Sequence, residues 1–476
     1  EKLVAANCYE GLVRIMADGT IGKGVATDWN ISDDGLTYTF KLRNNSHWAM
    51  FSGHKAVLGE NYEDTFDITV KAEDFKFGIE RTLSEQTGSA DAPLFSAVKS
   101  ISTPDDFTIV FNLSYADDNF LYALTNPGAM PCDEEFFNLT NGKYGLDAKY
   151  LLCNGPFHVS KWTEKTSVKL AKNNEYNGES SVSPSSVTFY INNDDSEVAD
   201  KMNSVTYDVA FLSSSQFSSI ENKKDLNSVA VQNVTYSFIF NQNDNNYRNK
   251  NMRLAFCRSC DTSSLFDSQS DISKADGIVP PSCKIGGEDY RNGNAAELLS
   301  YDETLAKKNF NDALLDLGSS SVETTILCTE QYEPFVKQMV QKLQKTLGVK
   351  FVSTVKVVSE SDLEAAVNDG NYSVAFYPFK AKSSFAGEII EGFDQNNIFG
   401  YESDVLSQKI RNIKNNSGSL EGERSAVADA ENYLVSEAVI MPVFYENSYF
   451  VTSKKTSGIY FYSSADNVCF INAKKS

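Results

Sequence analysis

The sequence predicts an α/β protein with two lobes, each containing mixed sheets and flanking helices. Two regions of the chain, far apart in the sequence, follow a strand–helix–strand order. Both end in a short helix, a polar turn and a buried strand, Asp208-Val209-Ala210-Phe211 in the first and Ser373-Val374-Ala375-Phe376 in the second. A helix between two strands is the usual connection of parallel neighbours. We therefore expect a parallel sheet in each region and one lobe around each sheet.

Size, composition and charge limit the classes to which the chain can belong. With 476 residues it has room for roughly three domains of ordinary size. Hydrophobic residues make up 41% of the chain, which excludes a wholly disordered protein. The net charge of −21 repels phosphate, so no nucleic acid is expected as a partner. No apolar stretch approaches the roughly 18 residues that span a bilayer.

The first part of the chain is predicted to form strands and hairpins around one helix. Residues 36–42 and 107–113 alternate apolar and polar side chains with a period of two, and each run follows an acidic turn. Between them, residues 72–83 place apolar side chains four apart on one helical face.

The two strand–helix–strand regions are predicted from the same periodicities and from helix stop signals. In the first region we expect a strand at 186–191, a helix at 194–202 and a strand at 207–212. The second region has a helix at 302–317 ended by Gly318, a strand at 322–328, a helix from Pro334 to Gly348, a strand at 349–358, a helix at 361–368 and a strand at 372–377.

The residues that follow the two similar strands are candidates for a ligand site. Ligands of open α/β sheets bind beyond the carboxyl ends of the strands. Ser213-Ser214 and Tyr377-Pro378-Phe379 come directly after those ends. We expect them to face a ligand cleft between the lobes, although the start of an ordinary surface loop fits the periodicity equally well.

No catalytic or metal-binding constellation is found in the sequence. It lacks a Gly-x-x-x-x-Gly-Lys loop, a His-Glu-x-x-His motif and a Gly-x-Ser-x-Gly turn, and no nucleophile is paired with His47, His54 or His158. The single Cys-x-x-Cys, from Cys257 to Cys260, has no second pair for zinc. Its place inside a predicted helix favours a structural bridge or a buried thiol over a redox centre. We expect no enzymatic activity, metal or cofactor.

Seven short motifs follow one another from end to end of the chain. They are Asn7-Cys8-Tyr9-Glu10-Gly11-Leu12-Val13; Trp29 with Ser32-Asp33-Asp34-Gly35-Leu36-Thr37-Tyr38-Thr39-Phe40; Val70-Lys71-Ala72-Glu73-Asp74-Phe75 through Glu80-Arg81; Asn154-Gly155-Pro156-Phe157 with Trp162; Asn241 with Asn251-Met252-Arg253-Leu254-Ala255-Phe256; Gly277-Ile278-Val279-Pro280-Pro281; and residues 430–434 with Met441-Pro442-Val443. This ordered set resembles the extracellular solute-binding proteins of the oligopeptide/dipeptide-binding family, the receptors of ABC importers.

The resemblance implies a periplasmic-binding-protein-like fold of type II, in the group with an extra domain. Such a receptor closes by hinge motion on an extended ligand in the cleft between its lobes. Domain I would comprise residues 1–40, 158–232 and 451–476. Domain II, an inserted strand-rich domain, would be residues 41–157, and domain III, the second lobe, residues 233–450.

The resemblance also implies a monomeric receptor without a cofactor, which captures oligopeptides and delivers them to an ABC permease in the membrane. Family members in Gram-positive bacteria are tethered to the outer face of the cytoplasmic membrane by a lipid on a cysteine just after the signal peptide. Cys8 lies inside the first strand motif, so the signal and the anchor are expected upstream of Glu1. Two alternatives remain open: the same fold binding another solute (an oligosaccharide, a metal chelate or haem), and a cleft hydrolase.

We predict ligand-binding residues in both lobes. Ser213, Tyr377 and Phe379 follow the strand ends, Phe376 precedes them, and Asn7 and Tyr9 belong to the N-terminal motif. Peptide receptors of this group commonly place a carboxylate shortly after the last of these strands, where it pairs with the α-ammonium of the peptide. Aligned on Ala375-Phe376, that position is Phe379, so the acid is missing. We predict an aromatic wall and no anchoring of a free peptide N-terminus there.

The eight cysteines are compatible with a few disulfides and equally with scattered buried thiols. If the protein is oxidised, two pairs are expected first, because each closes a modest loop. Cys132 and Cys153 flank the end of the inserted domain, and Cys260 and Cys283 bracket the loop after the Arg253 helix.

Overall fold

The computed structural model divides the chain into two compact units. The first unit contains Glu1–Val229 and Tyr449–Ser476, and the second contains Ala230–Ser448. The finer division into three domains stays a prediction. The structure describes residues 2–16, 20–178, 181–191, 195–204, 206–262, 272–380, 385–394, 397–462 and 467–476.

The strands are numbered in chain order. They are β1 Val13–Ile15, β2 Ile21–Lys23, β3 Ala26–Ile31, β4 Thr37–Leu42, β5 Val98–Asp105, β6 Thr108–Leu113, β7 Phe157–Thr163, β8 Ser167–Lys172, β9 Ser186–Tyr190, β10 Val209–Ser213, β11 Leu226–Phe240, β12 Ile272–Lys274, β13 Lys284–Ile285, β14 Glu288–Asp289, β15 Val322–Cys328, β16 Phe351–Val357, β17 Val374–Lys380, β18 Ile440–Ser453, β19 Thr456–Ser457, β20 Tyr460–Tyr462, β21 Asn467–Cys469 and β22 Lys474–Lys475.

The α-helices are numbered in the same way. They are α1 Lys2–Cys8, α2 Lys55–Leu58, α3 Tyr62–Thr65, α4 Ala72–Leu83, α5 Phe120–Ala123, α6 Glu134–Leu139, α7 Asp195–Asn203, α8 Ser214–Ser219, α9 Asn245–Arg248, α10 Lys250–Arg258, α11 Glu303–Leu317, α12 Glu333–Leu347, α13 Glu360–Asn368, α14 Ala386–Glu391, α15 Asp404–Asn415 and α16 Leu420–Ser436. Within the described ranges, no helix is long and apolar enough to cross a lipid bilayer.

The first unit contains a four-stranded antiparallel sheet in the order β3-β4-β6-β5. Aromatic rings fill its buried face: Phe40 meets Phe111 edge to face at a centroid distance of 5.8 Å, and Phe111 meets Phe120 at 5.3 Å. The predicted boundary between residues 40 and 41 falls inside β4. The sheet therefore extends across that boundary, because β3 and β4 form a hairpin of this sheet.

The first strand–helix–strand region does not form a parallel crossover, so that prediction is wrong. β9 pairs with β8 in the antiparallel sheet β7-β8-β9, whereas β10 pairs with β18. β9 forms its hydrogen bonds with β8, the strand before it in the chain. The apolar and polar alternation of β9 does not show which strand it pairs with. The predicted start of the helix, Asp194, lies outside the described residues, and α7 is Asp195–Asn203.

The second strand–helix–strand region forms the parallel part of a sheet in the second unit. The strands β18-β11-β17-β15-β16 lie side by side in this order, and β12 also pairs with β18. β15 lies between β16 and β17 and is parallel to both, as predicted. β11 runs antiparallel to β17, with Phe238 opposite Phe376.

Helices cover both faces of this sheet, and alternate residues of its strands pack into two hydrophobic clusters. Phe238 and Phe376 belong to the first cluster, with α10, α11 and α12. Ile239 and Ala375 belong to the second, with α13, α14, α15 and α16. Neighbouring residues of a strand point to opposite faces of the sheet. Once one residue faces the first cluster, the face of every other residue in that strand is therefore fixed.

Local capping interactions set the ends of the helices in the second unit. The Asp302 carboxylate accepts a hydrogen bond from the backbone N–H of Leu305 at 2.9 Å, so it caps α11. At the other end of α11, Gly318 has a φ of 62°, the left-handed conformation that favours glycine. Pro334 lies in the first turn of α12.

The N-terminal motif is not one strand, so the strand predicted there is wrong. Helix α1 ends at Cys8, and strand β1 begins only at Val13. The backbone N–H of Tyr9 donates to the carbonyl of Ala5 at 2.9 Å, a bond of the helical type, and the side-chain amide of Asn7 donates to the carbonyl of Leu3 at 2.8 Å. A resemblance in residue types does not fix the backbone of so short a motif.

Candidate functional site

A cavity of about 290 Å³ lies at the carboxyl ends of β15 and β16 in the second unit. Its lining residues come from the end of β15, the start of α13 and two neighbouring strands: Tyr236, Thr329, Glu360, Leu363, Glu364, Phe376, Tyr377 and Pro378. Ligands of open α/β sheets bind at such strand ends. The cavity is therefore the candidate site of this unit.

The aromatic wall predicted from Phe376, Tyr377 and Phe379 is divided between two faces. β17 does not end at Tyr377 but continues to Lys380, since it stays paired with β11 beyond the last residue paired with β15. Phe376 is 1% exposed and packs in the first cluster, 5.5 Å from the ring of Tyr236. Tyr377 and Phe379 pack against the second cluster on the opposite face. The three rings therefore do not form one wall.

Tyr377 and Phe379 are neighbours on their face of the strand, with ring centroids 5.6 Å apart. Phe379 also stacks on Phe393 at 5.9 Å and on Phe399 at 5.7 Å, so it has a packing partner already. Both rings are partly exposed. Burial raises the pKa of Tyr377, and the nearby Glu364 carboxylate raises it further, so its hydroxyl stays protonated and can donate a hydrogen bond.

Two carboxylates that were not predicted as site residues line the cavity. Glu360 and Glu364 are exposed residues of the first two turns of α13. Neither follows β17, where the acid of related receptors was expected and found to be missing. Glu360 follows the carboxyl end of β16, the strand before α13. The rule that ligands bind beyond strand ends therefore predicts it as a site residue when it is applied to β16.

A third carboxylate lies beside the tyrosines of this unit. The hydroxyl of Tyr332 donates to Oε1 of Glu446 at 2.5 Å, and its ring lies 4.4 Å from that of Tyr236. Burial, the Tyr236 phenol and the Glu446 carboxylate raise the pKa of Tyr332. The pair thus remains a neutral phenol bonded to a carboxylate.

In the first unit, Tyr9 lines a cavity of about 260 Å³. The cavity is also lined by Arg14 of β1, by Met130 and by Tyr460 of the C-terminal segment. The hydroxyl of Tyr9 lies 3.4 Å from that of Tyr144. Burial raises the pKa of Tyr9, so the phenol is neutral and offers a hydrogen bond beside an apolar ring.

Asn7 and Ser213, the other predicted ligand residues of the first unit, make hydrogen bonds within that unit. Asn7 is fully buried, its amide nitrogen donates to the carbonyl of Val468 at 2.7 Å, and its amide oxygen accepts from the N–H of Phe470 at 3.1 Å. Ser213 caps α8 by accepting from the N–H of Gln216 at 3.3 Å. These hydrogen bonds give both side chains a structural role. Their contact with a ligand stays a prediction.

All eight cysteines are free thiols, and neither expected bridge is formed. Cys260 belongs to the first hydrophobic cluster and Cys283 to the second, so the sheet separates them. The Cys153 thiol lies near Cys8 and adds to the rise in its pKa that burial causes, whereas Cys132 accepts a hydrogen bond from the Arg81 guanidinium at 3.5 Å. The Cys-x-x-Cys pair is buried in α10 and beyond its end, as expected for buried thiols, and burial raises the pKa of Cys257 to about 12.

No group of three or more metal-ligating side chains occurs among the residues that the structure describes. His54 is buried, and burial lowers its pKa to about 4, so the ring is neutral. One of its ring nitrogens lies 3.0 Å from the carbonyl of Leu151, and the ring contacts Phe51 and Phe136. These contacts give His54 a packing role.

The sequence matches known binding proteins over most of its length. The family model of bacterial extracellular solute-binding proteins, family 5 (middle), matches residues 20–399. The dipeptide-binding protein DppE of Bacillus subtilis is 23% identical, in an alignment that covers 95% of this chain and 84% of DppE. The oligopeptide-binding protein AliB of Streptococcus pneumoniae is 26% identical over 65% of this chain, which spans about half (53%) of AliB.

The fold is similar to that of solved structures. The structure of Listeria monocytogenes OppA bound to peptide superposes with a TM-score of 0.78, at 20% identity, and covers 100% of this chain and 94% of that protein. The expected mixed α/β fold of the periplasmic-binding-protein type is thereby confirmed. Since the family model covers well over half of the sequence, the chain belongs to the bacterial extracellular solute-binding proteins of family 5.

Proposed function

We propose that this chain is the receptor of an ABC importer, which binds peptides outside the cell and delivers them to a membrane permease. The observation that carries the proposal is that relatives aligned over 95% and 65% of the chain are named as dipeptide- and oligopeptide-binding proteins. The family is one of solute-binding proteins and not of enzymes, which confirms the prediction that the chain is not an enzyme.

We propose that Tyr377 in the second unit and Tyr9 in the first contact the peptide. Both rings are partly exposed beside a cavity, and both carry a protonated hydroxyl. A phenol combines a flat apolar surface with one hydrogen-bond donor, so it binds peptide groups of varied sequence. Phe379 adds apolar surface next to Tyr377, whereas the buried Phe376 acts through packing.

Peptide binding can be tested by calorimetry and mass spectrometry. Peptides released from purified protein by denaturation are identified, and the synthetic versions are titrated into ligand-free protein. Tyr377→Ala should weaken binding at least tenfold, as expected when an aromatic contact is removed. Tyr301→Ala is the matched control, since Tyr301 is 45% exposed in the same unit and lines neither cavity. Equal affinities of the two variants would contradict the site, and cleavage of the peptide would contradict a receptor.

We further propose that a free peptide N-terminus is not anchored at Phe379, because the residue offers no charge. Acetylating the N-terminus should then change the affinity by much less than tenfold. A loss of about 2 kcal/mol or more, the size expected when a charge pair loses one partner, would contradict this proposal. Glu364→Gln would then show whether the carboxylate in the cavity is the anchor, because in that variant acetylation would no longer matter.

The monomeric state and the lipid anchor are parts of the same proposal. Light scattering after size-exclusion chromatography measures the molar mass and so tests the monomeric state. A molar mass of two chains would contradict it. Labelling of the full gene product with a fatty acid in cells tests the second. A labelled product at the cell surface is expected, and an unlabelled product released into the medium would contradict an anchor.

A further inference from the structure

We propose that Cys8 and Cys153 form a disulfide in the mature extracellular protein. The two cysteines lie on chain segments that are held together by three hydrogen bonds. The backbone N–H of Gly155 donates to the carbonyl of Cys8 at 2.8 Å. The side chain of Asn154 accepts from the N–H of Glu10 at 3.0 Å and donates to its carbonyl at 2.8 Å.

The two thiols meet in the same hydrophobic cluster. Cys8 and Cys153 are each 1% exposed, and the Cys153 thiol lies near enough to raise the pKa of Cys8 beyond the effect of burial. Gly155 allows the close approach of the two segments, since a Cβ there would lie 2.6 Å from the carbonyl carbon of Cys8. The structure thus brings together two thiols from distant parts of the sequence, and it shows them in the reduced state.

Neighbouring thiols are less suited to this bridge. Cys132 accepts a hydrogen bond from Arg81, and its backbone N–H is bonded to the carbonyl of Asp74 at 2.9 Å. Cys469 lines the cavity beside Tyr9 and is only partly buried. Of these candidates, the Cys8–Cys153 pair is the one that combines two thiols buried in one cluster with hydrogen-bonded chain segments.

The oxidation balances as a thiol–disulfide exchange. The Cys8 and Cys153 thiols together lose two protons and two electrons, and a disulfide oxidant, such as a thiol–disulfide oxidoreductase, becomes a dithiol. Extracellular proteins meet oxidants of this class. Burial raises the pKa of Cys8 in the folded chain, so its thiolate is scarce there. The exchange therefore takes place during folding, before the pair is enclosed.

The bridge would join the end of α1 to the segment before β7. It closes a long loop, since the adjacent pair Glu10 and Asn154 is 144 residues apart in the sequence. A bridge over a loop of this length raises stability by restricting the unfolded chain. It would also hold Tyr9, the next residue after Cys8, at the wall of its cavity.

The test is to refold the reduced, denatured full chain in a buffer of oxidised and reduced glutathione. Thiols are then counted in denaturant, and the bridge is located by mass spectrometry of a non-reduced digest. We expect six titratable thiols, two fewer than the eight of the reduced chain, and one linked pair of peptides that contain Cys8 and Cys153. The melting temperature of the oxidised protein should exceed that of the reduced protein by about 5–10 °C.

Matched serine variants assign the bridge without relying on one substitution. Cys132→Ser should still lose two thiols on oxidation, whereas Cys153→Ser should lose none. Eight titratable thiols after oxidative refolding of the unmodified chain would overturn the proposal, and so would a mapped bridge between any other pair, including Cys132–Cys153.

Discussion

Removal of the Glu431 carboxylate is expected to destabilise the second unit more than any exposed charge does. The side chain is 1% exposed. Its Oε1 accepts hydrogen bonds from the backbone N–H groups of Ile278 at 2.6 Å and Val279 at 2.9 Å, and its Oε2 accepts from the hydroxyl of Tyr290 at 3.0 Å. It also forms an ion pair with Arg291.

The magnitude follows from what the substitution leaves behind. In Glu431→Ala, the guanidinium of Arg291, only 9% exposed, loses its counterion, and two buried N–H groups lose their acceptor. Breaking a buried pair on one side costs about 3–5 kcal/mol of the free energy of unfolding. Glu431→Gln keeps an amide oxygen for the N–H groups but removes the charge, so its cost should be smaller, about 2 kcal/mol.

Urea unfolding measured by circular dichroism tests this, with Glu437→Ala as the matched control. Glu437 pairs with Lys250 at 2.6 Å, but the two side chains are 25% and 46% exposed, so the loss should be at most about 1 kcal/mol. All three tryptophans, at positions 29, 48 and 162, belong to the first unit, so their fluorescence reports that unit separately. Equal losses in Glu431→Ala and Glu437→Ala would refute the reasoning.

Two further predictions concern a helix cap and the dependence of stability on pH. Asp302→Ala removes the cap of α11 and should cost about 1 kcal/mol, with faster hydrogen exchange confined to the first turn of that helix; unchanged exchange there would contradict the assigned cap. Burial raises the pKa of Asp74 from 3.8 to about 7, so between those values the folded chain holds a proton that the unfolded chain has lost. Its contribution to the free energy of unfolding is therefore complete below about pH 4 and is lost as the pH rises towards 7. Asp74→Asn should flatten this decline in urea titrations at several pH values, and a variant with the unmodified slope would contradict it.

Elements whose signals are local were predictable from the sequence. α4 and β15 were predicted with the bounds that they have, because apolar spacing and turn residues act within a few positions. The N-terminal motif, predicted as a strand from its resemblance, instead contains the end of α1 and the start of β1. Partners of strands were less predictable: β9 looked like one strand of a parallel crossover, yet it pairs with its sequence neighbour β8.

The candidate site illustrates how one long-range pairing decides local chemistry. The rule of strand ends predicted a site at Tyr377, but the end of β17 is not set by its own residues. Pairing with β11 keeps the chain extended to Lys380, and alternation then sends Phe376 into one cluster and Tyr377 and Phe379 into the other. The local sequence Tyr377-Pro378-Phe379 favours a loop. It carries no information about the pairing with β11, because β11 lies far away in the sequence. The face of the sheet on which each ring lies is thus decided by the register of the two strands, and the register depends on tertiary packing.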